Sequence, residues 1–247
     1  MLPDGEAEGK RAQAERAALP ARGRRVPAAT LPNRPPDAIM KVQTCAGEKP
    51  GRLCGFERGV AVEQILYLNA CVRPESRTLR LADRLIARLE GDVTRLDLDR
   101  EELLPLDYER LLMRDRLVRE QRLDHPMLRY ARQFARADTI VLAAPYWDLS
   151  FPALVKLYCE AVTVTGVTFR YREDGRPEGL CRAKRLYYVT TAGGPFVPDF
   201  GFAYVRALAG SFFGIPEIRC FCAEQLDIVG NDAEAILAAA MRETDRE

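Results

Sequence analysis

The sequence predicts an α/β protein built on a doubly wound, five-stranded parallel sheet of order 2-1-3-4-5, with helices on both faces. Three observations predict it. From residue 62 onward, short apolar runs alternate with segments of helical periodicity, the pattern of successive βαβ units. Thr139-Ile-Val-Leu-Ala-Ala144 is a near-continuous apolar run, as a strand covered on both faces requires. No GxGxxG motif follows the first strand, which among right-handed doubly wound topologies disfavours the dinucleotide-binding order.

The first strand is Gln64-Ile-Leu-Tyr-Leu-Asn69, and the following helix, from Ser76 to Glu90, places Leu79, Leu81, Ala82, Leu85, Ile86 and Leu89 on one broad apolar face. Val93 to Leu98 alternates as a second strand. A polar, Arg-rich helical region runs from Tyr108 to about Ala137, broken at His125-Pro126. After the third strand, a helix from Pro152 to Val164 carries proline in its first turn, where the missing N–H costs nothing. Gly166 to Tyr171 and Glu173-Asp-Gly175 read as an extended excursion with a turn. Arg185 to Thr191 is the fourth main strand, a helix from Phe200 to Phe213 stops at Gly214, Ile218 to Ala223 is the fifth strand, and Asp232 to Arg242 forms the last helix.

Residues 1–61 differ from the rest. Six prolines and no aromatic residue fall before Ala38, too little apolar surface to offset ordering entropy. They are expected to form a disordered extension, or sequence upstream of the native start, ahead of a folded domain over 62–247. No apolar run approaches the roughly 20 residues of a membrane span. With 37 basic and 36 acidic side chains, the chain lacks the clustered positive charge of a nucleic-acid binder. Its seven cysteines are odd in number and irregular in spacing, which points to reduced thiols in the cytoplasm. Cys220 and Cys222 share one face of a strand and are expected to be buried. With a single histidine, His125, read as a helix-start residue, neither a metal centre nor a Ser-His-Asp arrangement is indicated.

In sheets of this kind ligands gather beyond the carboxyl ends of the strands, so the chemistry is expected in three loops. In the first, Ser76 is placed to cap a helix whose first turn contains Arg77 and Thr78; free N–H groups, hydroxyls and the helix dipole make an anion site. The second, Pro145-Tyr-Trp-Asp-Leu149, holds the sole tryptophan beside a tyrosine, with proline at each flank, and suits a flat aromatic ligand. The third, Thr191-Ala-Gly-Gly194, lets backbone approach a ligand closely and offers unhindered N–H donors.

These loops, together with Gly166-Val-Thr-Phe-Arg-Tyr171 and Pro177-Glu-Gly-Leu180, resemble the flavodoxin-like FMN-dependent NADH azoreductases and NAD(P)H quinone dehydrogenases over residues 63–240. The resemblance implies FMN as cofactor, NADH or NADPH as co-substrate, and a homodimer with flavin at the interface. By position, Ser76, Arg77 and Thr78 match the segment that grips the FMN phosphate; Tyr146, Trp147, Asp148 and Leu149 run beside the isoalloxazine ring; Thr191, Ala192, Gly193 and Gly194 form the second ring loop. Two departures stand out. Ala70 and Cys71 replace an early serine, and Asp148 stands where asparagine is usual, so a bond to flavin there must come from backbone N–H.

The implied chemistry is two-electron, ping-pong reduction of a small acceptor, with Tyr146, Trp147 and Phe196 as stacking surfaces and no side-chain general base. The alternative is a flavodoxin-like electron carrier or flavin-binding redox sensor. Such carriers are usually strongly acidic to steer toward a protein partner, and this chain is nearly neutral.

Overall fold

The computed structural model describes residues 62–198 and 200–246. The expectation for residues 1–61, with Cys45 and Cys54, lies outside them. One sheet of five strands has the order β2-β1-β3-β6-β7, every pairing parallel. Its strands are β1 (Gln64–Asn69), β2 (Asp92–Asp97), β3 (Thr139–Ala143), β6 (Arg185–Thr191) and β7 (Glu217–Ala223). Counting only these five, the order is the predicted 2-1-3-4-5.

The helices are α1 (Arg77–Ile86), α2 (Tyr108–Arg119), α3 (Arg129–Arg136), α4 (Ala153–Val162), α5 (Phe200–Leu208) and α6 (Ala233–Thr244). Strand side chains alternate between two cores. Ile65, Tyr67, Val141, Tyr187 and Val189 join Leu81, Leu85 and Leu237 in one, under α1 and α6. Leu66, Leu68, Ile140, Leu142, Leu186 and Tyr188 join Phe134, Val155, Tyr158, Val205 and Phe213 in the other, under α3, α4 and α5. All of β3 is buried, which explains its unbroken apolar run. By contrast β2, at the sheet edge, is mostly exposed.

Several boundaries differ from the sequence reading. α1 stops at Ile86 rather than Glu90, because the chain tightens into three-residue bonds from Arg88 N–H to Leu85 O and from Leu89 N–H to Ile86 O. α4 ends two residues before Val164, and α6 runs on to Thr244. The break at His125-Pro126 is present: His125 Nδ1 accepts from Met127 N–H at 3.2 Å and caps a short 3-10 turn. Cys220 is only partly covered and Cys222 is exposed, since both lie on β7, the other sheet edge.

The predicted extended excursion is a hairpin, β4 (Phe169–Tyr171) against β5 (Pro177–Gly179). It packs backbone to backbone on the π-helical turn Ala209–Phe213 that widens the end of α5. A Cβ on Gly179 would lie 2.2 Å from the Phe213 carbonyl carbon, so glycine is required there.

Near that turn, Tyr158 is buried with no partner for its hydroxyl among the described residues. A cavity of about 20 Å³ adjoins it, walled otherwise by apolar groups such as Leu68, Val155 and Phe213 and by the Cys159 thiol, a weak hydrogen-bonding partner. An orphaned buried hydroxyl is destabilising. Tyr158→Phe is therefore expected to raise unfolding stability by about 1 kcal/mol in urea melts; a loss of stability would show that the hydroxyl is satisfied.

Candidate active site

The parallel register sets the carboxyl ends of the strands level. Asn69 pairs with Ala143, Ala143 with Val189, and Thr191 with Ala223. Loops leaving β1, β3 and β6 therefore emerge side by side. Between them lies a cavity of about 420 Å³, within the range of small-molecule sites.

The β1 loop is shaped from below. Buried Asn69 donates from Nδ2 to Asp97 at 2.7 Å and accepts the Cys71 N–H at 3.0 Å, turning the chain as it leaves the strand. Ser76 caps α1, its Oγ accepting from Leu79 N–H at 3.3 Å. The N–H groups of Arg77 and Thr78 meet no acceptor among the described residues, so the helix start presents unpaired donors. Ser76, Arg77 and Thr78 all border the cavity.

The Thr78 hydroxyl also has a partner within the fold. Thr78 shares the inward stripe of α1 with Leu81, Ala82 and Leu85, and its Oγ1 is bonded to Thr191 Oγ1 at 2.7 Å. It ties α1 to β6. Ala70 and Cys71 are buried and supply no hydroxyl. Burial pushes the Cys71 thiol up to about 11, so it stays protonated at neutral pH.

In the β3 loop, Pro145, Tyr146 and Trp147 border the cavity. Tyr146 is fixed by its N–H to Thr191 O at 3.1 Å, its hydroxyl to Pro198 O at 2.8 Å, and an edge contact with Phe196 at 5.0 Å. Trp147 and Ser150 exchange backbone hydrogen bonds across Asp148 and Leu149, both at positive φ (51° and 66°). This is a type I′ turn, a geometry aspartate adopts readily and leucine only at an energetic cost. Asp148 and Leu149 project beyond the cavity wall, and the Asp148 N–H keeps no acceptor among the described residues.

In the β6 loop, Thr191 and Gly193 border the cavity, whereas Ala192 is buried with its backbone spent on Ala223 O and Leu226 N–H. The N–H groups of Gly193 and Gly194 have no acceptor among the described residues. Phe196 backs Tyr146 rather than facing the cavity, and its N–H donates to Glu224.

A fourth loop, after β7, was not anticipated. Gln225, Leu226 and Asp227 donate backbone N–H groups to Gly194, Ala192 and Gly193, stapling the β6 loop from outside. Asp227 itself borders the cavity. The rule that ligands gather at strand ends could have found it, since β7 ends on the same edge.

The matches to known proteins agree with this geometry. Residues 63–247 match the family described as flavodoxin-like fold. The chain belongs to that family. It is 38% identical over 189 residues to FMN-dependent NADH:quinone oxidoreductase 2 of Clostridium acetobutylicum, covering 71% of this chain and 93% of that protein. It is 34% identical over 196 residues to the FMN-dependent NADH:quinone oxidoreductase of Coprothermobacter proteolyticus, covering 74% and 96%. An azoreductase from Bacillus anthracis shares the fold at TM-score 0.67 and 24% identity, over 74% of this chain and 97% of that one.

The flavodoxin-like framework holds Leu149 in a left-handed conformation that costs an L-residue about 1–2 kcal/mol. Leu149→Gly should raise stability in urea melts by about 0.5–1 kcal/mol after the loss of unfolded-state restriction; no gain would mean that Leu149 packing outweighs its backbone strain. Alkylation at mildly alkaline pH should label exposed Cys222 well before Cys71; equal rates would show a reactive Cys71 thiolate.

Proposed function

We propose that this chain is an FMN-dependent NAD(P)H oxidoreductase that reduces quinones, azo compounds or related small acceptors. One observation carries the reading: three loops at level strand ends close on one cavity, with an anion-binding helix start on one wall and aromatic rings with a glycine pair on the others. Relatives named as FMN-dependent NADH:quinone oxidoreductases support it.

The residues present fit a flavin mononucleotide. Unpaired N–H groups of Arg77 and Thr78, with the Arg77 guanidinium, suit a phosphate. Tyr146 and Trp147 offer flat apolar surface to a ring, and the unpaired N–H groups of Gly193 and Gly194 suit negative charge on it. FMN held by these residues would supply two-electron hydride chemistry between NADH or NADPH and the acceptor. The protein's part would be to bind and orient that group. Pro145 fixes the entry of the ring-bearing loop, and Ala192 anchors the loop carrying the glycines.

Val72, Trp147, Leu149, Val197 and Phe200 leave apolar surface exposed on and near the site loops. That surface supports a homodimer in which a second copy covers the flavin site. No disulfide joins the five described cysteines, and no described helix is long and apolar enough to cross a membrane. The thiols support a reducing, cytoplasmic location.

The purified protein should be yellow and release about one FMN per chain, and initial rates with NADH and a quinone should give parallel double-reciprocal lines. A colourless protein that refuses added FMN overturns the flavin reading. Intersecting lines overturn sequential use of one slot, and negligible turnover would favour the carrier instead.

A further inference from the structure

We propose that Asp227 sets how strongly the cavity holds the phosphate end of its ligand, acting through Arg77 as a positioning residue. The inference rests on the flavin reading above and concerns the charge balance of that site. Four charged side chains border the cavity, Arg73, Glu75, Arg77 and Asp227, and their formal charges cancel. An anion site with no net positive side-chain charge depends on how each cation is shared.

Arg77 is shared in a defined way. Its guanidinium donates to Leu226 O at 3.0 Å and to Asp227 Oδ1 at 2.7 Å, leaving further N–H donors for a ligand. Asp227 is held from two sides. Its own N–H donates to Gly193 O at 2.9 Å, and its second oxygen lies so close to Gly193 that a Cβ there would be 2.1 Å away. The carboxylate thus joins the start of α1 to the glycine loop and keeps Arg77 against the cavity wall.

Two effects follow. The pairing orients Arg77, which favours binding, while the carboxylate charge offsets that of Arg77 and repels an entering phosphate. The Asp227 side chain is 66% exposed, so solvent screens the repulsion and the effect is several-fold rather than many orders of magnitude. Only ligands carrying phosphate should feel it. Asp227 therefore tunes the discrimination between a phosphorylated flavin and the same ring system without phosphate.

The test measures dissociation constants of the apoprotein for FMN and for riboflavin by quenching of flavin fluorescence, at low and high ionic strength. Asp227→Asn keeps an acceptor for Arg77 and removes the charge. It is expected to bind FMN about three- to tenfold more tightly at low salt, less so at high salt, with riboflavin unchanged. Asp227→Glu should keep the wild-type FMN-to-riboflavin ratio, and Arg77→Met should weaken FMN about tenfold while sparing riboflavin. Equal changes for both ligands in Asp227→Asn would reveal a simple loop brace and overturn the proposal, as would weaker FMN binding or an unchanged ratio. If the wild-type protein binds FMN but the ratio does not respond, only this inference falls. If it binds neither flavin, the flavin reading falls with it.

Discussion

The structure depends on a central parallel strand with both faces buried. β3 exposes no residue, and its neighbours β1 and β6 pair with it in the same direction. Parallel neighbours cannot be joined by a tight hairpin, so each connection must cross over through a helix. Burying both faces requires those helices on both sides. Because all five strands run parallel, every strand end that carries a loop of interest lies at the same edge. The cavity is a consequence of that constraint more than of any one loop.

What the loops contribute is unspent backbone capacity. Buried or half-buried N–H groups are normally paired. At this edge, those of Arg77, Thr78, Gly193 and Gly194 meet no acceptor among the described residues, and Leu149 is held in a strained conformation. Such features persist because the sheet and helices around them over-determine the geometry. Asn69, Thr78 and Tyr146 do this locally: each bonds a side-chain polar atom to a neighbouring segment and so shapes a loop. An anionic, planar ligand would satisfy the donors and would stabilise the folded state by mass action.

The elements most legible in the sequence were those whose burial is one-sided or complete. The apolar run at Thr139, the α1 stripe and the strand at Arg185 are each visible because side-chain period follows directly from backbone geometry. The site was legible to the extent that it uses residue types with few other purposes, a glycine pair after a strand and a lone Trp-Tyr pair between prolines. Helix ends were less so, since α1 tightening at Ala87 depends on local bond choice and not on pattern. The burial expected of Cys220 and Cys222 failed for a related reason: alternation identifies a face, but only strand order says that β7 is an edge.

By itself, the sequence determined the class of fold, the order of its elements and the three loops in which backbone donors and rings would meet, because these follow from local period and from the chemistry of residue types. Tertiary structure alone decided which side chains reach the cavity. Thr78 turns inward to Thr191, Phe196 stands behind Tyr146, and Asp227, 150 residues from Arg77 along the chain, becomes its partner. Those outcomes depend on packing between segments remote in sequence, and no local pattern encodes the distance between them.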